Sequence, residues 1–117
     1  MFEPAALFEA TDWLAAQGNQ HEIVLAAKPT AEIVGIRTPL RLYYGHSMET
    51  LYFEEKAEQV EAFYTGLQPA TWLNDNQIDW VILGPYESVW REIPFDYPNL
   101  KIAYKNDLVT IYRVSQP

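Results

Sequence analysis

The chain has no cysteine, two histidines and five glycines among its 117 residues. The missing cysteine excludes disulfides, thiolate metal sites and cysteine nucleophiles, and leaves the compartment open. Basic residues are scarce: 8 Lys and Arg stand against 16 Asp and Glu, for a formal net charge of −8 and a pI near 4.6. A field of that sign disfavours broad electrostatic attraction to nucleic acid or anionic lipid. No apolar run approaches the roughly 20 residues that span a bilayer, and the first residues carry no signal-peptide pattern. The glycine-rich loops GxGxxG and GxxxxGK[ST] are absent, as is a GxSxG elbow. His21 and His46 are too far apart for HxxxH or HExxH spacing. No cofactor and no metal is expected on these grounds.

What is there belongs to a folded domain. Hydrophobic residues make up 49%, aromatics 15% and charged residues 21%, which is a core-forming composition rather than a disordered one. A chain of this length buries roughly two thirds of its unfolded surface as one unit. No repeat, low-complexity stretch or linker divides it, so residues 1–117 read as a single α/β domain.

The local pattern gives an order of elements. Ala5 to Gln17 reads as a helix behind Pro4, with Ala6, Phe8, Trp13 and Leu14 apolar, and it stops at Gly18-Asn19. Glu22 to Ala27 contains the run Ile23-Val24-Leu25-Ala26-Ala27, which suits a strand covered on both faces. Lys28-Pro29-Thr30 reads as a break, with Thr30 capping a short helix from Ala31 to Ile36. Arg41 to Tyr44 is a second strand, and Gly45-His46 marks its exit. Thr50 to Thr65 is a helix with Phe53, Ala57, Val60, Tyr64 and Leu67 on one face and Glu54, Glu55, Glu58 and Glu61 mostly on the other. Those glutamates read as a solvated face. Ala70 to Asn76 is a short helix, and Ile78 to Leu83 a third apolar strand ended by Gly84-Pro85. Leu100 to Val114 reads as a hairpin turning at Asn106-Asp107. That turn pairs Lys105 with Leu108, Tyr104 with Val109 and Ile102 with Ile111, placing Tyr104, Val109, Ile102 and Ile111 on one face. The order predicts a three-layer, Rossmann-like α/β fold whose sheet is mostly parallel, with a C-terminal antiparallel hairpin.

In such sheets ligands collect beyond the carboxyl ends of the parallel strands. That edge would gather Lys28-Pro29-Thr30, the segment from Gly45 to Thr50, and Gly84-Pro85-Tyr86-Glu87. The candidate ligand-binding residues are therefore His46, Glu49, Thr50, Lys56, Tyr86 and Glu87. A His46–Glu49 pair can orient an imidazole or move a proton. The plainer reading is that Ser47 or Thr50 caps the long helix, Glu49 complements its dipole and His46 bonds a loop carbonyl. Glu87 can accept from hydroxyls or simply belong to a strand-ending turn. Lys56 reaches the site or is an ordinary exposed helical lysine. Tyr43, Tyr44, Tyr86 and Trp90 can stack on sugar faces or pack in the core.

Several of these residues recur in one order. They are Asp12-Trp13-Leu14, Ile23-Val24-Leu25-Ala26-Ala27, Tyr44-Gly45-His46-x-x-Glu49-Thr50, Lys56, Val60-Glu61-Ala62-Phe63-Tyr64, Val81-Ile82-Leu83-Gly84-Pro85-x-Glu87, and the closing run from Ile102 to Val114. In that order the chain resembles the C-terminal domain of bacterial polytopic membrane proteins related to lipid-linked-sugar glycosyltransferases. The resemblance implies transmembrane helices ahead of this domain and a place on the extracytoplasmic side of the membrane. It also implies a catalytic acid in an early loop of the membrane part, to which no position here corresponds. His46, Glu49, Thr50, Lys56 and Glu87 match recurrent positions with a binding or structural role, and Lys28 to Leu40 matches less closely. The expected function is a non-catalytic accessory or ligand-binding domain. Its partners would be the membrane-embedded part of its parent and a glycan or lipid-linked sugar. The alternatives are a small enzyme using His46 and Glu49 as an acid–base pair, and a protein–protein interaction module using the hairpin edge.

Overall fold

The structure is a computed structural model and describes residues 4–43, 53–65, 67–84, 97–106 and 108–115. Helix α1 (Pro4–Gln17) leads into strand β1 (Ile23–Leu25), then α2 (Lys28–Arg37) and β2 (Arg41–Leu42). Helices α3 (Phe53–Tyr64) and α4 (Thr71–Asp75) precede β3 (Trp80–Leu83), and β4 (Leu100–Lys105) and β5 (Thr110–Val114) close the chain. The five strands form one open sheet in the order β2-β1-β3-β5-β4. β1 is parallel to both β2 and β3, and β5 is antiparallel to both β3 and β4. The chain is thus a mixed α/β fold.

Alternation along the strands divides the core in two. Val24, Ala26, Trp80, Ile82 and Ile111 pack with Leu7, Ala10 and Leu14 of α1 and Ala31 and Val34 of α2. Leu25, Val81, Leu83 and Val114 pack with Val60, Phe63 and Tyr64 of α3 and Trp72 and Leu73 of α4. All four residues of β3 are buried, as the unbroken apolar run predicts for a strand covered on both sides. The second cluster is tied by rings: Phe63 stacks on Tyr97 at 4.6 Å and on Trp72 at 5.5 Å, and Tyr43 meets Trp72 edge-on.

Several expectations need correction. α2 starts at Lys28, not Ala31, because a proline in the first turn gives up only an N–H that has no intrahelical acceptor. Ala27 is the N-cap and makes no side-chain cap bond, so Thr30 lies inside the helix. Leu67 is 80% exposed, and Phe63 takes its place in the core beside Val60 and Tyr64. On α1, Phe8 faces outward beneath the Arg37 guanidinium. The expected turn at Asn106-Asp107 does not set the register. Lys105 pairs with Thr110, Tyr104 with Ile111 and Ile102 with Tyr112. The Asn106 Oδ1 accepts from the N–H groups of Leu108 and Val109, which widens the loop. A bulge between Ile102 and Tyr104 then takes Ile102 off the face that Tyr104 shares with Ile111, and Ile102 is 60% exposed. Tyr44 and Thr50 to Tyr52, read as ends of a strand and a helix, lie outside the described residues.

Candidate functional site

The parallel pairing places the carboxyl ends of β1, β2 and β3 along one edge of the sheet. β4 runs the same way, so the loop joining it to β5 reaches that edge too. There the Asn106 Nδ2 donates to the Ala6 carbonyl at 2.7 Å, fastening the hairpin to the first turns of α1. Of the residues expected to form a site, His46, Glu49, Thr50, Tyr86 and Glu87 lie outside the described residues. Lys56 lies on α3, and only its backbone is among them. Tyr43, offered as a sugar-stacking ring, is a core residue at 8% exposure, and its hydroxyl donates to the Gln59 Oε1 at 2.6 Å. Burial raises its phenol above the ordinary value. Among the described residues no three His, Cys, Asp or Glu come together as a metal centre would need.

Two side chains at this edge were not singled out as functional by their pattern. The first is Tyr64, from the last turn of α3. It is buried, and its hydroxyl lies 2.6 Å from the Ile82 carbonyl and 3.2 Å from the Leu25 carbonyl. Those carbonyls belong to β3 and β1, so one phenol joins two neighbouring parallel strands close to where they end. The second is Thr30, in the first turn of α2. It is fully buried, and its Oγ1 has no hydrogen-bond partner. Tyr64 read simply as an apolar-face residue and Thr30 as a cap, so spacing alone signalled neither role.

The opposite edge, where β1 and β3 begin, is closed by polar side chains. The Glu22 carboxylate accepts from Arg113, from the Trp80 indole N–H at 3.2 Å and from the Asn19 N–H at 3.1 Å. The Arg113 guanidinium also lies 4.5 Å over the Trp80 ring. Burial by itself raises the Glu22 carboxyl, but the Arg113 and Trp80 hydrogen bonds, the Arg113 charge and the Asn19 N–H together outweigh it and hold the group below its ordinary value. Asp79 accepts from the Ile23 N–H on its side chain and from the Val114 N–H on its carbonyl. Asn74 and Asn99 join α4 to the ends of the hairpin through Ala70 and Ser115. This edge is a clasp between chain segments.

No family model matches the chain, and no curated protein matches it. Among the described residues no helix is long and apolar enough to cross a membrane.

Proposed function

We propose that the chain is a non-catalytic accessory or ligand-binding domain of a membrane glycosyltransferase-like protein, held on the extracytoplasmic side of a bacterial membrane. Its partners on this reading are the membrane-embedded part of its own parent and a glycan or lipid-linked sugar at the carboxyl edge of the sheet. The sheet is then the middle of a three-layer, Rossmann-like arrangement. His46, Glu49, Thr50, Lys56, Tyr86 and Glu87 supply the rim, as binding residues rather than catalytic ones.

The observation that carries this reading is the placement of the Tyr64 hydroxyl. In an open α/β sheet, ligands occupy the crevice where the strand order reverses. The order β2-β1-β3 puts that reversal between β1 and β3. The chain's own tyrosine bonds both strands there and is 1% exposed. A crevice filled from within supports contacts made on the rim and not chemistry done in the cleft. The resemblance supports the same division, since the catalytic acid of such transferases belongs to the membrane part.

The test is a titration of the 117-residue chain with neutral glycans and short-chain polyprenyl-phosphate sugars, followed by amide NMR shifts and by product analysis. The expected result is shifts confined to the carboxyl edge, with no sugar released or transferred. Turnover by the isolated chain would overturn the non-catalytic reading. Absence of any shift would overturn the ligand and leave docking on the membrane part, which co-purification with that part checks.

A further inference from the structure

We propose that the outer side of β4 pairs with a short, extended, acidic segment of a partner protein, which joins the sheet as a further strand. The inference goes beyond the reading above: it concerns the flank of the sheet and a protein, not the carboxyl edge and a glycan.

β4 ends the strand order, and among the described residues no strand lies beyond it. At the other flank β2 is only two residues long, against six in β4. The hydrogen bonds at the two ends of β4 show which of its groups are left over. The Asn99 carbonyl accepts from the Ser115 N–H, and the Asn106 N–H donates to the Val109 carbonyl, both across to the β5 side. Alternation then turns Lys101 and Tyr104 toward β5 and Ile102 and Lys105 away from it, with the bulge at Ala103 taking up the odd residue. Among the described residues nothing bonds the outward N–H and C=O groups of Ile102 and Lys105. The strand is open there: Ile102 is 60% exposed, and Lys101, Ala103 and Lys105 are exposed.

Charge identifies the occupant. β4 holds two of the chain's 8 basic residues and none of its 16 acidic ones. Arg37 and Arg113 are engaged by Asp12 and Glu22, but among the described residues no carboxylate pairs with Lys101 or Lys105. Lysines on an outer strand keep like strands from pairing, and a second β4 would add lysines to lysines with no carboxylate between them. The charge that turns away a second copy attracts an acidic strand. The bulge fixes the spacing. Lys101 faces Arg113 and Lys105 faces Thr110, three positions apart on β5. A regular strand on the outer side meets the lysines at the same interval, one on each face of the sheet, because side chains alternate. The matching segment therefore carries two acidic residues three positions apart.

The test is a titration of the full chain with a short synthetic peptide of Val and Thr carrying two Glu three positions apart, read by amide NMR shifts. One control peptide carries its two Glu two positions apart, on a single face, and another carries Lys in place of both Glu. The expected result is saturable shifts centred on Ile102 and Lys105, weakened about tenfold or more with either control. In Lys101→Glu/Lys105→Glu the preference should reverse, with the Lys peptide the tighter. Ile102→Pro removes an outward N–H and leaves both lysines, and it should weaken the acidic peptide about tenfold or more. Absence of saturable shifts overturns the proposal, and so do shifts centred away from β4, equal binding of the two Glu spacings, or acidic binding that survives either variant. If Ile102→Pro does not fold, the charge swap decides, since both of its lysines are exposed. Shifts on β4 that grow with protein concentration alone would make the occupant a second copy and overturn the acidic partner. None of these outcomes bears on the carboxyl edge, so the proposed function stands or falls separately.

Discussion

The two edges of the sheet hold similar polar side chains and employ them differently. Where β1 and β3 begin, Glu22, Asp79, Asn74 and Arg113 bond other segments of the chain, and of the buried side-chain atoms there the Asn99 Oδ1 has no partner. Where the parallel strands end, Tyr64 and Asn106 also make bonds within the chain, but Thr30 buries a hydroxyl that bonds nothing. Apart from the Asn99 Oδ1, the first edge is accounted for by folding: its side chains satisfy backbone groups and join segments as far apart as Glu22 and Arg113. The second edge is stabilised at its centre by Tyr64 and carries a polar group that folding does not use. The ligand edge of the proposed function is the second of these two.

The largest expected effect is at Tyr64. Tyr64→Ala removes both a core ring and the bond between β1 and β3, and urea denaturation should show a loss of about 3–5 kcal/mol. Tyr64→Phe keeps the ring and strips the hydroxyl, for a loss of about 1–3 kcal/mol. If Tyr64→Phe costs nothing, the hydroxyl does not hold the strand ends and the filled crevice loses its energetic meaning.

The clasp sets the next effect. Glu22→Gln keeps the shape but loses the charge that meets Arg113, a partner that is itself 44% exposed and therefore partly screened. A loss of about 1–2 kcal/mol at neutral pH follows. The sign of the pH dependence follows from the lowered Glu22 carboxyl. Its contribution is fully present above the ordinary glutamate value near 4.5 and is lost as pH falls through the lower folded value. Stability measured against pH should decline along that acid limb in the parent and be flatter there in Glu22→Gln. An unchanged acid limb would remove Glu22 from the clasp.

The smallest effect lies beside the clasp, in the link from α4 to β3. Gln77 sits at φ 59°, a left-handed conformation that favours glycine. The Gln77 N–H bonds Asn74 and the Ile78 N–H bonds Leu73, which closes the helix around that residue. Gln77→Gly should therefore be neutral or stabilising by up to about 1 kcal/mol in thermal melts, where most substitutions near the clasp destabilise.

How far the sequence can be read follows the range of the forces involved. The unbroken runs around Val24 and Val81, and the helical spacing of Val60 and Tyr64, are local and predict β1, β3 and α3 correctly. The start of α2 misleads because Pro29 resembles a break, whereas at a helix start a missing N–H costs nothing. The hairpin register misleads because it depends on the Asn106 side chain and a bulge at Ala103, and composition signals neither. Glu22 and Arg113 each look like ordinary surface charges, and only the pairing of β1, β3 and β5 brings them together. At the candidate site the sequence indicates the edge, and the residues it names for the rim, Gly45 to Thr50 and Pro85 to Glu87, lie outside the described residues. The Tyr64 closure and the bare Thr30 hydroxyl depend on how α2 and α3 pack on the sheet, which no local pattern encodes.

The asymmetry between the edges is tested most directly by measuring Glu22→Gln and Thr30→Val side by side in urea. The account predicts that Glu22→Gln loses about 1–2 kcal/mol, while Thr30→Val loses nothing or gains up to about 1 kcal/mol, because an unbonded buried hydroxyl has been replaced by a methyl. A Thr30→Val chain destabilised as much as Glu22→Gln would mean that the hydroxyl serves folding, and the distinction between a clasped edge and a binding edge would fail.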